Sequence, residues 1–226
     1  MLRAETEFLP TIPLDDVSTE LRLMSDHRDN LVAERTRLIN QLHAQMLQID
    51  PCDEEKSGAL ASLADVRSCR DLEIPHAEGV LRTRLLIVRH LVSQILPLAE
   101  AIETVETALK QRIQASETPL VQLCGVGTII ATRLIGELGC VPRVHSAAAL
   151  AALAGIAPVA VSSGGKHGHR LNRGGNRRLN KAFHMIALSQ LRCEPLARAY
   201  YAKKRAEGKT ARAALRCLKR RLVDVV

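Results

Sequence analysis

Two adjacent serines, Ser162 and Ser163, run directly into glycines within Val159 to Lys181, which reads VAVSSGGKHGHRLNRGGNRRLNK. Five cations follow in quick succession: Lys166, Arg170, Arg173, Arg177 and Arg178. A serine hydroxyl is a weak nucleophile until a base or a metal draws off its proton, so its neighbours decide what it can do. Here they are guanidinium and ammonium groups on a glycine-rich backbone, a combination that suits phosphate. Asn176 is placed to cap the following helix, which would turn that helix's positive end into the same loop. His167 and His169 are candidate bases, although loop histidines are more often incidental, and these two are too isolated for zinc. The plain alternative is a connecting loop, because glycine and serine mark turns for ordinary backbone reasons.

Charge supports the phosphate reading. The 226-residue chain has a net charge of +8, and residues 160–226 hold 17 of its 32 Lys+Arg but 3 of its 24 Asp+Glu. A polyanionic partner is therefore expected at the C-terminal third and not before it. Composition points to helices packed on helices. Hydrophobic residues make up 46% but aromatics 2%, with no Trp, so Leu, Ile, Val and Ala must build the core. The six cysteines show no CxxC pair, which predicts reduced thiols in a cytoplasm. No apolar run reads as a bilayer span, and MLRAETEFLP lacks the pattern of a signal peptide, so no membrane role is expected.

The elements that must position the serines come in order. Residues 1–16 read as a tail interrupted by Pro10 and Pro13, with Asp15 and Asp16 as caps and not metal ligands. Residues 17–114 read as a coiled-coil region. Leu21, Met24, Leu31, Leu38 and Leu42 mark a helix from about Val17 to Ile49, ended by Asp50-Pro51. After a polar interval (52–57) and a weak helical stretch from about 59 to 70, a second long pattern starts near Glu78. Leu81, Leu85, Val88, Val92, Ile95, Ala99 and Ile102 repeat in steps of four and three, a heptad seam continued by Val105, Leu109 and Ile113. Two such helices predict an antiparallel hairpin, closed on itself or shared with a second copy.

Residues 115–226 change character. Gly125-Val126-Gly127 precedes an amphipathic helix closed by Gly139, with Thr128 as its candidate cap. This is the pattern of a helix-hairpin-helix, in which Gly125 and Gly127 would offer bare N–H groups to a DNA phosphate. An ordinary αα-hairpin is the alternative. Ser146 caps a short alanine-rich helix ended by Gly155, and Val159 to Val161 forms a short extended piece before the serine loop. A helix from about Arg177 to Arg192 buries Leu179, Phe183, Ile186, Ala187 and Leu191. Pro195 opens another, and Thr210 caps the last, on which Arg212, Arg216, Lys219 and Arg220 share one face.

These stretches resemble a known family. LCGVGTIIATRLIGELG (123–139), AALAALAGIAPVAVSSGG (148–165), HRLNRGGNRRLNKAFHMIAL (169–188) and RAYYAKKRAEGKTARAALRCLKR (198–220) look like insertion-sequence transposases of the bridge-RNA-guided type. Those carry a resolvase-like DEDD domain at the N-terminus and a serine-bearing transposase domain at the C-terminus. The resemblance covers about the last hundred residues closely, and the long helices fit the coiled coil that joins the family's two domains. It implies an all-α chain here, and DNA strand exchange through a serine nucleophile. The family's serine precedes a glycine, which selects Ser163, with Ser162 as the fallback. Lys166, Arg170 and Arg173 are candidates to meet developing phosphate charge. Magnesium held on the acidic tetrad, a guide RNA and a homo-oligomer are further implications.

One departure bears on activity. The family's acidic domain precedes the coiled coil, and Glu5, Glu7, Asp15 and Asp16 do not replace it. The expectation is a polypeptide that binds DNA or RNA, lacks the magnesium ligands, and does not complete recombination alone. The competing reading is a non-catalytic helix-hairpin-helix nucleic-acid-binding module. A coiled-coil assembly protein without nucleic acid is a third, and the basic C-terminal segment opposes it.

Overall fold

In this computed structural model the described residues are 17–50, 60, 62–139, 144–163, 166–170, 172 and 174–226, with the backbone alone described for 161–163 and 166–170. The tail with Asp15 and Asp16, the polar interval 52–57, Gly164, Gly165 and Arg173 lie outside the described residues. Helices α1 (Val17–Ile49), α2 (Leu63–Arg70) and α3 (Gly79–Ala115) come first. A 3-10 turn (Pro119–Gln122), α4 (Thr128–Leu138) and α5 (Ala147–Leu153) follow. Then come strands β1 (Val159–Ser163) and β2 (Lys166–Arg170), and helices α6 (Arg177–Cys193), α7 (Pro195–Ala206) and α8 (Ala211–Val223). The all-α class holds, with one small two-stranded hairpin added to it.

The chain divides into two compact units. One contains Asp26–Ala108; the other contains Leu109–Val226 with the start of α1 up to Ser25. Within the first, the predicted seam is buried: Leu85, Val88, Val92, Ile95, Ala99 and Ile102 all lie in the core. They meet α1 through Leu38 and Leu42, with Val66 and Cys69 of α2 completing the cluster. Polar contacts fix the direction of pairing. Arg84 donates to Gln45 Oε1 at 2.9 Å near one end, and Arg28 donates to Glu106 Oε1 at 2.7 and 2.8 Å near the other. Residue numbers rise on α1 as they fall on α3, so the two helices run antiparallel. Helix α2 starts at Ser62 through a capping box, where Ser62 Oγ accepts from the Asp65 N–H and the Asp65 carboxylate accepts from the Ser62 N–H.

By length and composition α3 is apolar enough to cross a membrane, contrary to the expectation of no such run. Part of its apolar content is the buried seam of this unit; the rest of its surface carries Arg82, Arg89, Glu100 and Glu103 together with exposed Val80 and Leu86.

In the other unit α6 is the central helix. Leu179, Ala182, Phe183, Ile186 and Ala187 are buried along it, and it packs on α4, α7 and α8. The predicted starts mostly hold: Ser146 accepts from the Ala149 N–H, Thr210 from the Ala213 N–H, and Pro195 opens α7. Two expectations fail here. Thr128 is the first residue of α4 and not its cap; Gly127 holds the cap position without a side-chain bond. Cys124 and Cys193 are joined by a disulfide, which ties the turn before α4 to the end of α6, so these two thiols are not reduced. Among the described residues Cys69 and Cys217 remain free.

Candidate functional site

The stretch that reads as an open loop is a β-hairpin. Strands β1 and β2 pair antiparallel, with Val159 opposite Arg170, Ala160 opposite His169, Val161 opposite Gly168, Ser162 opposite His167 and Ser163 opposite Lys166. The only sign of this in the sequence is Val159-Ala160-Val161, a β-leaning piece with no apolar partner strand. The ladder ends at Ser163 and Lys166, so the register brings together the hydroxyl residue and the first cation of the motif. Arg170 sits at the opposite end of β2, beside Val159. The register therefore separates two cations that adjacency in sequence groups together.

The hairpin stands on a close junction of backbone. A Cβ added to Gly175 would lie 2.2 Å from the Gly155 nitrogen and 2.3 Å from its Cα. Only glycine permits that approach, and Gly155 itself has a φ of +64°. The Asn176 N–H donates to Leu153 O at 2.7 Å, which joins the chain after β2 to the chain before β1.

Asn176 also caps α6 as expected, since its Oδ1 accepts from the N–H groups of Arg178 and Leu179 at 2.9 and 3.1 Å. Its Nδ2 donates to Glu137 Oε2 at 2.6 Å, and Arg178 reaches the other carboxylate oxygen at 3.1 Å. Burial pushes the Glu137 carboxyl up. The bonds from Asn176 and Arg178, with the charges of Arg22 and Arg178, outweigh burial and hold it below the usual carboxylate range. Arg178 is thus engaged with Glu137, whereas Arg177, also at the start of α6, is exposed.

One turn further along α6, Asn180 Nδ2 donates to Ala154 O at 2.8 Å and Gly155 O at 3.3 Å. Its Oδ1 accepts from Lys219 Nζ at 2.6 Å. Lys219 is 6% exposed, and burial pushes its ammonium down to about 8. Its charge, after burial, also lowers the neighbouring His184. The expected basic face of α8 is corrected accordingly. Arg212 and Arg216 are exposed, but Lys219 points inward and Arg220 pairs with Asp224 at 2.6 Å. The signal was present in the sequence, because Lys219 falls four residues after Leu215 and three before Leu222, on the apolar stripe.

The paired glycines before α4 also part company. Gly125 has a φ of +88°, and a Cβ there would meet Ser189 Cβ at 2.8 Å and Ile186 O at 3.2 Å, so it packs against α6. Gly127 is exposed, with nothing within 4 Å of a built Cβ. The helix expected before this turn is a single 3-10 turn, in which Thr118 Oγ1 accepts from the Leu120 N–H. Beyond the hairpin, Lys203 and Arg205 in the last turn of α7 and Lys209 on the α7–α8 connection are exposed, as are Arg212, Arg216 and Arg221 of α8. Among the described residues none of these six is paired with a carboxylate. Nor does any group of three or more His, Cys, Asp or Glu among the described residues suit a metal ion. Glu137, the carboxylate nearest in the network, is already committed to Asn176 and Arg178.

Comparison with known proteins gives this arrangement a context. Residues 118–202, which include the turn before α4, the hairpin and α6, match the family model "Transposase IS116/IS110/IS902 family". The 44.8 kDa protein of insertion element IS116 from Streptomyces clavuligerus is 28% identical over 99% of this chain and 66% of its own length. The 43.6 kDa protein of insertion element IS110 from Streptomyces coelicolor is 27% identical over 94% of this chain and 63% of its own. A transposase for insertion sequence element IS1328 from Yersinia enterocolitica is 33% identical over 62% of this chain and 40% of its own. The chain thus spans about two thirds of the length of the first two relatives. Residues 118–202 therefore resemble the IS116/IS110/IS902 transposase family, and most of the chain is similar to these insertion-element proteins.

Proposed function

We propose that this chain carries the serine-bearing part of a DNA transposase, with Ser163 as the nucleophile in strand exchange. The observation that carries the reading is the register Ser163 opposite Lys166 at the end of a hairpin whose base is pinned to α6. The Ser163 hydroxyl would attack a backbone phosphorus, releasing one DNA oxygen as a hydroxyl and leaving the strand esterified to serine. Attack by another strand's hydroxyl would then free the serine. Lys166 would offset the charge that develops on the phosphate oxygens. Ser162, opposite His167, is the fallback nucleophile; Arg170 and Arg177 would extend the cationic surroundings, and Arg173 is a candidate by sequence alone.

The exposed cations of α7 and α8 supply a sequence-independent grip on a sugar-phosphate backbone, and binding should weaken steeply with salt. A guide RNA and a second copy of the chain are further partners consistent with the family resemblance. Among the described residues no group of three or more His, Cys, Asp or Glu is placed to hold a metal ion, and no step here is assigned to magnesium.

Ser163→Ala tests the reading in a plasmid recombination assay. Recombination and the covalent protein–DNA adduct should vanish, while salt-dependent DNA binding stays within about twofold. Retained recombination in both Ser163→Ala and Ser162→Ala would remove the nucleophile assignment. The second reading, a binding module without chemistry, draws on Gly127, which is exposed at the cap position of α4 with no side chain to block a phosphate. Under that reading the wild-type protein binds DNA but never forms the adduct.

A further inference from the structure

We propose that Glu137 and Lys219 are positioning residues that set the placement of the serine hairpin, acting through Asn176 and Asn180. The inference rests on the serine reading only for why that placement matters. The backbone before β1 and the backbone after β2 meet where Gly155 and Gly175 approach each other. Two asparagine amides, one turn apart on α6, hold both sides of that point. Asn176 bonds to Leu153 O through its backbone, and Asn180 bonds to Ala154 O and Gly155 O through its side chain.

An asparagine amide is nearly symmetric in shape but opposite in chemistry at its two ends, so something must decide which end faces which way. Glu137 and Lys219 decide it. An ionised carboxylate only accepts, so Glu137 fixes the Asn176 NH2 toward α4 and leaves Oδ1 for the N-terminus of α6. An ammonium only donates, so Lys219 fixes the Asn180 oxygen toward α8 and turns its NH2 to the carbonyls before β1. A carboxylate on one side and an ammonium on the other thus set opposite polarities in two identical side chains. Both charges lie on elements outside the hairpin; Glu137 was never an expected phosphate contact, and Lys219, expected on the basic face of α8, is buried instead. Burial explains why the arrangement is definite, because an unmet polar group there is costly; Glu137's second oxygen is met by Arg178, which leaves the first for Asn176.

Hydrogen exchange of the whole 226-residue chain, read by mass spectrometry on peptides covering 159–170, tests the clamp. Asn180→Asp keeps the size and the acceptor for Lys219 but sets a carboxylate against the two carbonyls. It should speed exchange of the hairpin amides at least tenfold, with α6, α7 and α8 within about twofold of wild type. Glu137→Gln, which also keeps its size, should raise hairpin exchange at least threefold and serves if Asn180→Asp does not fold. Val126→Ala loosens the same unit from the turn before α4, where Gly125 meets Ile186 and Ser189 further along α6, and should leave hairpin exchange unchanged relative to the helices. Unaltered hairpin exchange in both clamp variants, or an equal rise in Val126→Ala, would overturn the proposal. No nucleic acid enters the measurement, so a failed clamp leaves the serine reading standing. A failed Ser163→Ala test likewise leaves the clamp.

Discussion

The two compact units are held together by opposite means. Between Asp26 and Ala108, stability comes from a repeating apolar seam in which Leu38, Leu42, Val88, Val92 and Ile95 interlock and polar contacts are peripheral. In the unit around α6, apolar packing is present but the defining contacts are polar and buried. They run from Glu137 to Asn176, from Lys219 to Asn180, and from both asparagines to backbone carbonyls. A seam tolerates sliding and substitution because dispersion is spread over many atoms. A polar junction does not, because each donor has one acceptor in one direction. On the serine reading proposed above, the chemistry would lie on the unit that fixes direction, and not on the unit that fixes only length and adhesion.

The sharpest way to break this contrast is Gly175→Ala. The added methyl would sit 2.2 Å from the Gly155 nitrogen, against backbone that cannot step aside. A loss of about 4 kcal/mol is expected, at the severe end for overpacking, together with loss of hairpin protection. Protection at residues 26–108 should stay within threefold. Next in size is Ile95→Ala, which empties a fully buried site in the seam and should cost about 3 kcal/mol in urea unfolding. Hairpin exchange should not change with it. If either variant loosens both regions equally, the two units are not held independently.

These variants also mark what could be read in advance. The seam was legible because apolar residues at steps of four and three declare their own face, and every position from Leu85 to Ile102 in that pattern is buried. Caps were legible for a similar reason, since Ser146, Asn176 and Thr210 act on residues two or three positions away. The hairpin was not, because β2, Lys-His-Gly-His-Arg, offers no apolar alternation to pair with Val159-Ala160-Val161. Lys219 and Glu137 were missed because their partners lie 39 residues away in each case. A lysine looks like surface until its helix face is set against Leu218 and Leu222. The disulfide between Cys124 and Cys193 spans 69 residues and has no local signature at all.

A smaller effect comes from pH. Burial sets the folded Lys219 pKa at about 8, below the 10.5 of a free lysine, so the unfolded chain binds the proton more tightly. Stability linked to this group is therefore withheld below about pH 8 and gained as pH rises toward 10.5. His184, the neighbouring titratable group, is already neutral across that window. The wild-type protein should gain about 1–3 kcal/mol relative to Lys219→Met between pH 7.5 and 10, by urea unfolding at each pH. A gap between the two proteins that stays flat with pH would mean that Lys219 is not desolvated as the fold implies.

The smallest effect belongs to the ion pair on the seam. Arg28 donates through Nε and one terminal nitrogen to a single oxygen of Glu106, and its other terminal nitrogen reaches Asp29 at 3.2 Å. On geometry alone this resembles the Glu137 cluster, with comparable distances and a guanidinium on a carboxylate. Solvent separates the two cases. The Glu106 side chain is 40% exposed and Glu137's is 6%, so water competes for one carboxylate and hardly for the other. A double-mutant cycle of Arg28→Ala and Glu106→Ala should give a coupling of about 0.5 kcal/mol that fades at high salt. The corresponding cycle of Glu137→Ala and Asn176→Ala should give a larger coupling that salt leaves alone. A reversal of that order would mean that distance, and not exclusion of water, sets the strength of polar contacts in this fold, and the contrast between its two units would fail with it.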